Sequence, residues 1–384
     1  WLGQIPSHWE VTKVGKHFLQ RTDKVSEKDY PALSVAKIGV VPQLNDVAIS
    51  LQDGNSRKLV KAGDFVVNSR SDRKGSCGVA KQDGSVSLIN IVLEPRDIDR
   101  DYVHYLFRSN DWVEEFYRYG RGIVADLWTT NYNQMKNMMF PLPAREEQEG
   151  IVAYLDEKCG KLDKLVAAKE RKIALLGEMK QRLISDAVTR GLNPAAPLKA
   201  TTIPWLPQVP AHWEVTKVKS HFTQRTDKVS EKDYPALSVA KIGVVPQLSD
   251  VAISMQEGNT RKLVKAGDFV VNSRSDRKGS CGVAKQDGSV SLINIVLEPR
   301  DIDKDYAHYL FRSNDWIEDF YRNGRGIVAD LWTTNYQQMR NMMMPVPPVE
   351  EQREIVAYIE ERVEKVDALV AKLRAEIEHI KEYK

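Results

Sequence analysis

The sequence predicts an α+β protein: two mixed α/β domains separated by two long antiparallel coiled-coil helices, the halves related by a pseudo-twofold axis. Three observations predict it. A large block of sequence recurs after 204 residues. Each block opens with short β-rich runs broken by turn residues. Each closes with a charged stretch that carries a narrow apolar stripe at heptad spacing.

The chain has 384 residues, which at about 100–200 per domain allows two or three domains. Hydrophobic residues at 42% and charged residues at 28% suit a globular chain with a sizeable core. The formal net charge of +3 excludes a histone-like polycation, so any nucleic-acid binding must rest on local clusters. Cys77, Cys159 and Cys281 form no CxxC pair and no Cys/His cluster, which argues against zinc and for a reducing compartment. No run approaches 18 apolar residues and no signal peptide opens the chain. These features predict a cytoplasmic protein without a membrane partner.

The repeat is a duplication of a whole domain, since solenoid repeats have periods of about 20–50 residues. Positions 20–139 and 224–343 differ at 11 of 120 sites. The changes are mild: Asn45/Ser249, Leu51/Met255, Asp53/Glu257, Ser56/Thr260 and Lys136/Arg340 are typical. Two near-identical domains imply two near-identical binding surfaces.

Within the first domain, strands are expected at 33–35, 38–41, 65–67 and 86–92, punctuated by Gly63-Asp64, Asp83-Gly84, Gly75 and Gly78. A helix is expected over 101–117, where Tyr102, Tyr105, Leu106, Trp112, Val113, Phe116 and Tyr117 fall near helical spacing. A proline-marked strand over 138–143 closes the domain. The expected layout is a first domain at 1–143, a helix at 144–190, a polar connector at 191–204, a second domain at 205–347 and a second helix at 348–384.

The helices are read from their seams. With Val152 at position a, the a series continues Cys159, Val166, Ile173, Lys180, Ala187, and the d series is Leu155, Leu162, Lys169, Leu176, Leu183. Nine of these eleven are apolar or cysteine. The second helix keeps the phase, with Val356, Val363, Val370 and Ile377 at a and Ile359, Val366, Leu373 and Ile380 at d. Neither stripe can be buried alone, and the simplest partner for one is the other. A helix of about 45 residues spans roughly 68 Å at 1.5 Å per residue. Gly191-Leu192-Asn193-Pro194 stops the first helix.

Catalytic signatures are missing. No phosphate loop, GxGxxG turn, [ND]PP[YF], HExxH or GxSxG motif occurs. Asp64 with Asp72 and Lys74 loosely resembles half of a metal-dependent nuclease site, and this is carried as an alternative.

Three segments carry recognition chemistry. Asn68, Ser69, Arg70, Arg73 and Lys74 follow an apolar run. Arginine suits guanine, asparagine suits adenine, and lysine and hydroxyls suit phosphates. Arg121, Thr129, Thr130 and Asn131 lie in a second segment, 119–131, where Gly120 and Gly122 allow close backbone approach. Trp128, in the same segment, is read as core packing. Arg21 and Lys24 form the third. The copies are Arg225, Lys228, Asn272, Ser273, Arg274, Arg277, Lys278, Arg325, Thr333, Thr334 and Asn335.

Together these features resemble the DNA-specificity subunits of type I restriction–modification systems, over essentially the whole chain. Trp1-Leu2-Gly3-Gln4-Ile5-Pro6-Ser7-His8-Trp9, echoed at 205–213, looks like that family's domain opening. Pro141-Leu142-Pro143 with Glu146-Glu147-Gln148 and Ile151 looks like its domain-to-helix junction, repeated by Pro345, Pro347, Glu351-Gln352 and Ile355.

The resemblance implies two target-recognition domains, each reading half of a bipartite double-stranded DNA target, with helices that set the gap. It implies docking of two modification (methyltransferase) subunits and, where present, restriction/translocase subunits. S-adenosylmethionine, ATP and Mg would sit on those partners, leaving this chain without cofactor or metal and without catalysis of its own. The alternative to the family reading is a stand-alone, repressor-like DNA-binding protein.

Family members commonly carry dissimilar recognition domains. Here the three contact segments coincide except at Tyr119/Asn323. Identical readers on antiparallel helices predict half-sites that are inverted repeats. A centre-to-centre separation near one helical turn, about 34–36 Å, puts both readers on one DNA face.

Overall fold

The computed structural model describes residues 1–43, 56–122, 128–247, 260–326 and 332–384. The substitutions Asn45/Ser249, Leu51/Met255 and Asp53/Glu257, and the 123–127 and 327–331 parts of the second recognition segment, lie outside the described residues. The chain divides into two compact units, Trp1–Lys164 and Leu165–Lys384.

Unit 1 begins with β1 (Glu10–Lys13), α1 (Val14–His17), β2 (Phe18–Gln20), β3 (Lys24–Val25), β4 (Leu33–Ala36), β5 (Gly39–Pro42), β6 (Arg57–Val60) and β7 (Phe65–Asn68). It continues with β8 (Cys77–Val79), β9 (Gly84–Val86), β10 (Asn90–Pro95), α2 (Arg100–Leu106), α3 (Asn110–Arg118), α4 (Tyr132–Met135) and β11 (Met139–Leu142). The long α5 (Arg145–Arg190) starts in unit 1 and ends in unit 2.

The centre of unit 1 is an antiparallel sheet in the order β2-β10-β7-β8. Side chains alternate across a strand. Phe65, Val67, Ile91 and Leu93 therefore face a layer made of Phe107, Trp112 and Phe116 from the α2–α3 region and Phe140 from β11. Val66 and Val92 face the opposite way, onto Leu33, Val60 and Val86 of the small sheets β4-β5 and β3-β6-β9. Burial on both faces explains why these strands read as unbroken apolar runs. Phe107 stacks on Trp112 with centroids 4.2 Å apart, and both are fully buried. Each such side chain contributes about 1.5–3 kcal/mol by burial.

Two expected elements are divided. The helix over 101–117 is two helices, because Ser109 caps α3 and its hydroxyl also bonds Leu106 O at 2.7 Å. The apolar run 86–92 is the end of β9 and the start of β10. Between them Asn90 N bonds Ser87 O at 3.0 Å in a tight turn.

Unit 2 adds a hairpin of β12 (Leu198–Ile203), inside the stretch read as a polar connector, with β13 (Leu206–Pro210), at the opening of the stretch read as the second domain. The β-branched Thr201, Thr202 and Ile203 favour extended backbone, and Ile203, Leu206 and Val209 are buried. The repeat then follows as β14 (Glu214–Lys217), α6 (Val218–His221), β15 (Phe222–Gln224), β16 (Lys228–Val229), β17 (Leu237–Ala240), β18 (Gly243–Pro246) and β19 (Arg261–Val264). Next come β20 (Phe269–Asn272), β21 (Cys281–Val283), β22 (Gly288–Val290), β23 (Asn294–Pro299), α7 (Lys304–Phe311), α8 (Asn314–Arg322), α9 (Tyr336–Met339), β24 (Met343–Val346) and α10 (Val349–Tyr383). Its sheets repeat those of unit 1, with β15-β23-β20-β21 at the centre.

The end of α5 is built into this second core. Ile184, Ala187 and Val188 are buried with Trp213, Ile355 and Ile359, and Tyr306 Oη donates to Val188 O at 3.1 Å.

The long helices pack together within unit 2. Along α10, Ile359, Val366, Leu373 and Ile377 are buried, and Val356, Val363, Val370 and Ile380 are half-buried. On α5, Val166, Ile173, Leu176 and Leu183 are half-buried, as are Val152, Leu155 and Leu162 nearer its start. The two polar seam positions are matched across the pair: Lys169 Nζ lies 2.6 Å from Glu376 and Lys180 Nζ 2.7 Å from Asp367. The first index rises as the second falls, so the helices run antiparallel. No helix among the described residues is long and apolar enough to cross a membrane.

Candidate nucleic-acid interface

The site grows from the end of β7. After Asn68 the chain makes a 3-10 turn, Ser71–Arg73, and returns at Gly75, whose φ of +76° suits glycine alone. Three groups fix the loop. Asn68 Oδ1 accepts from Arg70 N at 3.1 Å, Asn68 N donates to Ser76 O at 2.9 Å, and Tyr117 Oη of α3 donates to Asn68 O at 2.7 Å.

The second recognition segment zips onto this loop. Thr130 N donates to Ser69 O at 3.0 Å and Ser71 N donates to Trp128 O at 2.9 Å, on either side of an Arg70–Thr129 bridge. Thr129 and Arg121 then exchange backbone hydrogen bonds of 3.0 and 3.1 Å. Residues 69–71, 128–130 and 121 thus form a three-ply ribbon, although 50 residues separate its parts in sequence.

The ribbon sorts the predicted residues. Arg70, Arg73, Lys74, Arg121 and Thr129 keep exposed or half-exposed side chains. Asp72 lies 3.0 Å from Arg70 Nε and 3.9 Å from Arg73 Nε, so among the described residues both guanidiniums pair with it and keep further donors free. Lys74 pairs with Glu114 at 2.8 Å. Ser69 and Thr130 are buried, and Thr130 Oγ1 donates to Phe116 O at 2.8 Å. Asn131 is the N-cap of α4, in a capping box with Gln134. These three hold the ribbon in shape.

Trp128 corrects an expectation. It is 39% exposed rather than in the core, because its backbone is drawn outward to bond Ser71. With Ser71, Lys74, Tyr117 and Arg118 it lines an open depression of about 480 Å³. The copy around Trp332 measures about 510 Å³.

The copy reproduces the ribbon. Tyr321 Oη donates to Asn272 O at 2.7 Å, Thr334 N to Ser273 O at 2.9 Å, and Arg325 and Thr333 exchange two bonds of 3.1 Å. Arg274 Nε lies 2.9 Å from Asp276, Arg277 and Lys278 are exposed, and Asn335 caps α9.

The third segment lies elsewhere. Arg21 pairs with Asp64 through two bonds of 2.7 and 3.1 Å, Glu94 lies 3.4 Å away, and Asp64 is 3% exposed. Asp64 and Asn68 bracket β7 at opposite ends, about 13 Å apart at 3.3 Å per residue. Arg225 and Asp268 repeat the pair with the same distances. Lys24 and Lys228 are exposed on β3 and β16. Asp64 is thus committed to Arg21, and no group of three or more potential metal ligands occurs among the described residues. The nuclease alternative has no support.

Burial governs the titratable groups behind the ribbon. It pushes the Cys77 thiol up to about 12, raises Tyr117, and lowers His104. These groups stay neutral and pack. Sequence reasoning did not single out Arg118 or Arg322, which appear as helix-end residues until the fold brings Lys74 and Lys278 beside them.

Comparison with known proteins agrees with this architecture. The family described as "Type I restriction modification DNA specificity domain" matches residues 210–379. The chain is 22% identical to the putative type I restriction enzyme MjaX specificity subunit of Methanocaldococcus jannaschii, covering 100% of this chain and 92% of that protein. It is 21% identical to the type I restriction enzyme EcoDI specificity subunit of Escherichia coli, over 94% of this chain and 82% of that one.

Among solved structures, a chain from work on complex assembly and conformational transition of the type I R-M system has a TM-score of 0.62 at 16% identity, over 99% of this chain and 96% of that one. The HsdS subunit from Thermoanaerobacter tengcongensis has a TM-score of 0.51 at 17% identity, over 99% and 97%. The matched region is the second repeat, and the first differs from it at only 11 of 120 positions. The second repeat is thus similar to the type I restriction–modification DNA-specificity family, and the near-identical first repeat shares that likeness.

Proposed function

We propose that each ribbon edge lies against double-stranded DNA and reads one half of a bipartite target whose halves are inverted repeats. The observation that carries this is the duplicated ribbon, with the same cations on the same backbone frame in both copies. The register of the long helices supports the inversion. The Lys169–Glu376 and Lys180–Asp367 pairs set position 171 of α5 opposite position 375 of α10, its own counterpart 204 residues on. A pseudo-twofold axis through that point would turn one reader into the other.

In this reading the domains are 1–143 and 205–347, and the helices at 144–190 and 348–384 set the gap and dock two methyltransferase subunits. Restriction/translocase subunits complete the cytoplasmic assembly. S-adenosylmethionine, ATP and Mg belong to the partners. Co-purification with a methyltransferase, followed by methylation mapping, tests it. Inverted half-sites are expected. Two unrelated half-sites overturn the inversion, and failure to associate with a methyltransferase overturns the assembly.

A further inference from the structure

Two of the differences between the readers cluster around one arginine. Of the 11 differences, Glu115/Asp319 and Tyr119/Asn323 flank the same arginine, Arg118 in the first copy and Arg322 in the second. Both arginines line the depression beside the ribbon, and both are mostly exposed, at 70% and 64%.

Their commitments are unlike. Arg118 donates two bonds of 2.7 Å to Glu115, through Nε and Nη2. Its guanidinium also lies over the Tyr119 ring, 5.5 Å from the centroid. Arg322 has one ionic contact among the described residues, Nη1 to Asp319 at 3.6 Å, beyond hydrogen-bond length. Asp319 is one methylene shorter than glutamate and cannot reach the fork. Asn323 supplies no ring. Instead its Nδ2 donates to Asp319 O at 2.8 Å and its own carbonyl accepts from Gln338 at 2.7 Å.

The carboxylates respond accordingly. The bonds from Arg118 hold Glu115 below its ordinary value, whereas burial raises Asp319, and Trp205 and then Arg322 only partly offset it. A guanidinium with a free fork binds phosphate bidentately, and one already forked onto a carboxylate must first break that pair.

The geometry points to Arg322 as a DNA phosphate contact that the first domain lacks, so that two near-identical readers grip the duplex with unequal strength. This rests on the ribbon edge being the DNA-facing edge.

The methyltransferase-bound complex is titrated with a random-sequence duplex over a salt series, since a phosphate contact is independent of sequence. Arg322→Ala is expected to weaken binding about two- to fivefold, the range for an exposed ion pair. It should also reduce the salt slope by about one. Arg118→Ala should change neither. In a Glu115→Asp/Tyr119→Asn background, Arg118→Ala should acquire the effect of Arg322→Ala. Equal losses from Arg118→Ala and Arg322→Ala, or none from either while the parent complex binds with a steep salt dependence, overturn the inference alone. A parent complex whose binding ignores salt overturns the DNA-facing edge as well.

Discussion

The hydroxyl of Tyr117 donates a 2.7 Å hydrogen bond to the backbone carbonyl of Asn68, and Tyr321 does the same for Asn272. A buried aromatic on a helix thereby sets the height of the loop that carries Arg70. Tyr117→Phe removes the bond and keeps the ring. We expect a stability loss of about 1 kcal/mol, read by denaturant melting. We also expect a larger loss in discrimination between DNA sequences than in overall affinity. Equal losses in both would mean that the loop needs no such anchor.

Arg70→Ala and Arg274→Ala address what that loop touches. If the side chains meet bases, each should relax preference at one position by about 1–3 kcal/mol, measured on duplexes substituted singly. A uniform loss on every duplex assigns them to phosphates.

Arg21→Ala should behave differently from any ribbon residue. It leaves the carboxylate of Asp64, 3% exposed, without its guanidinium. Stranding a buried charge costs about 3–5 kcal/mol. The expected phenotype is a lower melting temperature for the first domain with unchanged sequence preference in the protein that remains folded. Altered preference at normal stability would assign Arg21 to DNA.

Val188 is fully buried in the second core although it belongs to α5. Val188→Asp places an unpaired charge there, at a cost of several kcal/mol. Hydrogen exchange should show protection lost across 205–347 and kept across 1–120. Loss spread evenly through both regions would mean that the two cores melt together.

Burial holds His308 at about 4 against an ordinary 6.5, and its Nδ1 accepts from Val283 N at 3.4 Å. The folded state therefore binds fewer protons than the unfolded chain between those values. Stability conferred by the neutral ring is present above about 6.5 and is lost as pH falls toward about 4. Melting of the second domain should fall through that window, and His308→Gln should flatten the dependence. An unchanged slope in the variant assigns the acid sensitivity to other groups.

Several features were legible in the sequence because they are periodic or repeated. The duplication, the heptad seams and the β-rich runs of the central sheet need no knowledge of packing. Val152, Ile173 and Leu176 could be placed on one helix face because 3.6 residues per turn puts them there. The cations of the ribbon were visible as composition. Their meeting was not, since Ser69 and Thr130 join through backbone groups that carry no residue-specific signal. Trp128 was misplaced for the same reason: a tryptophan's apolar bulk suggests burial, while a main-chain bond to Ser71 turns it outward.

The amino-acid order by itself determined that there are two copies of one reader and two long helices with matching stripes, because duplication and helical period are properties of the chain. Only the tertiary structure decided which polar residues are spent on the fold and which remain available. Arg21 is consumed by Asp64, Asn131 by a helix cap and Arg118 by Glu115, whereas Arg70, Arg73 and Arg322 keep free donors among the described residues. A side chain's hydrogen bonds depend on what folding brings within about 3 Å of it, and that distance is set by the packing of segments far apart in sequence.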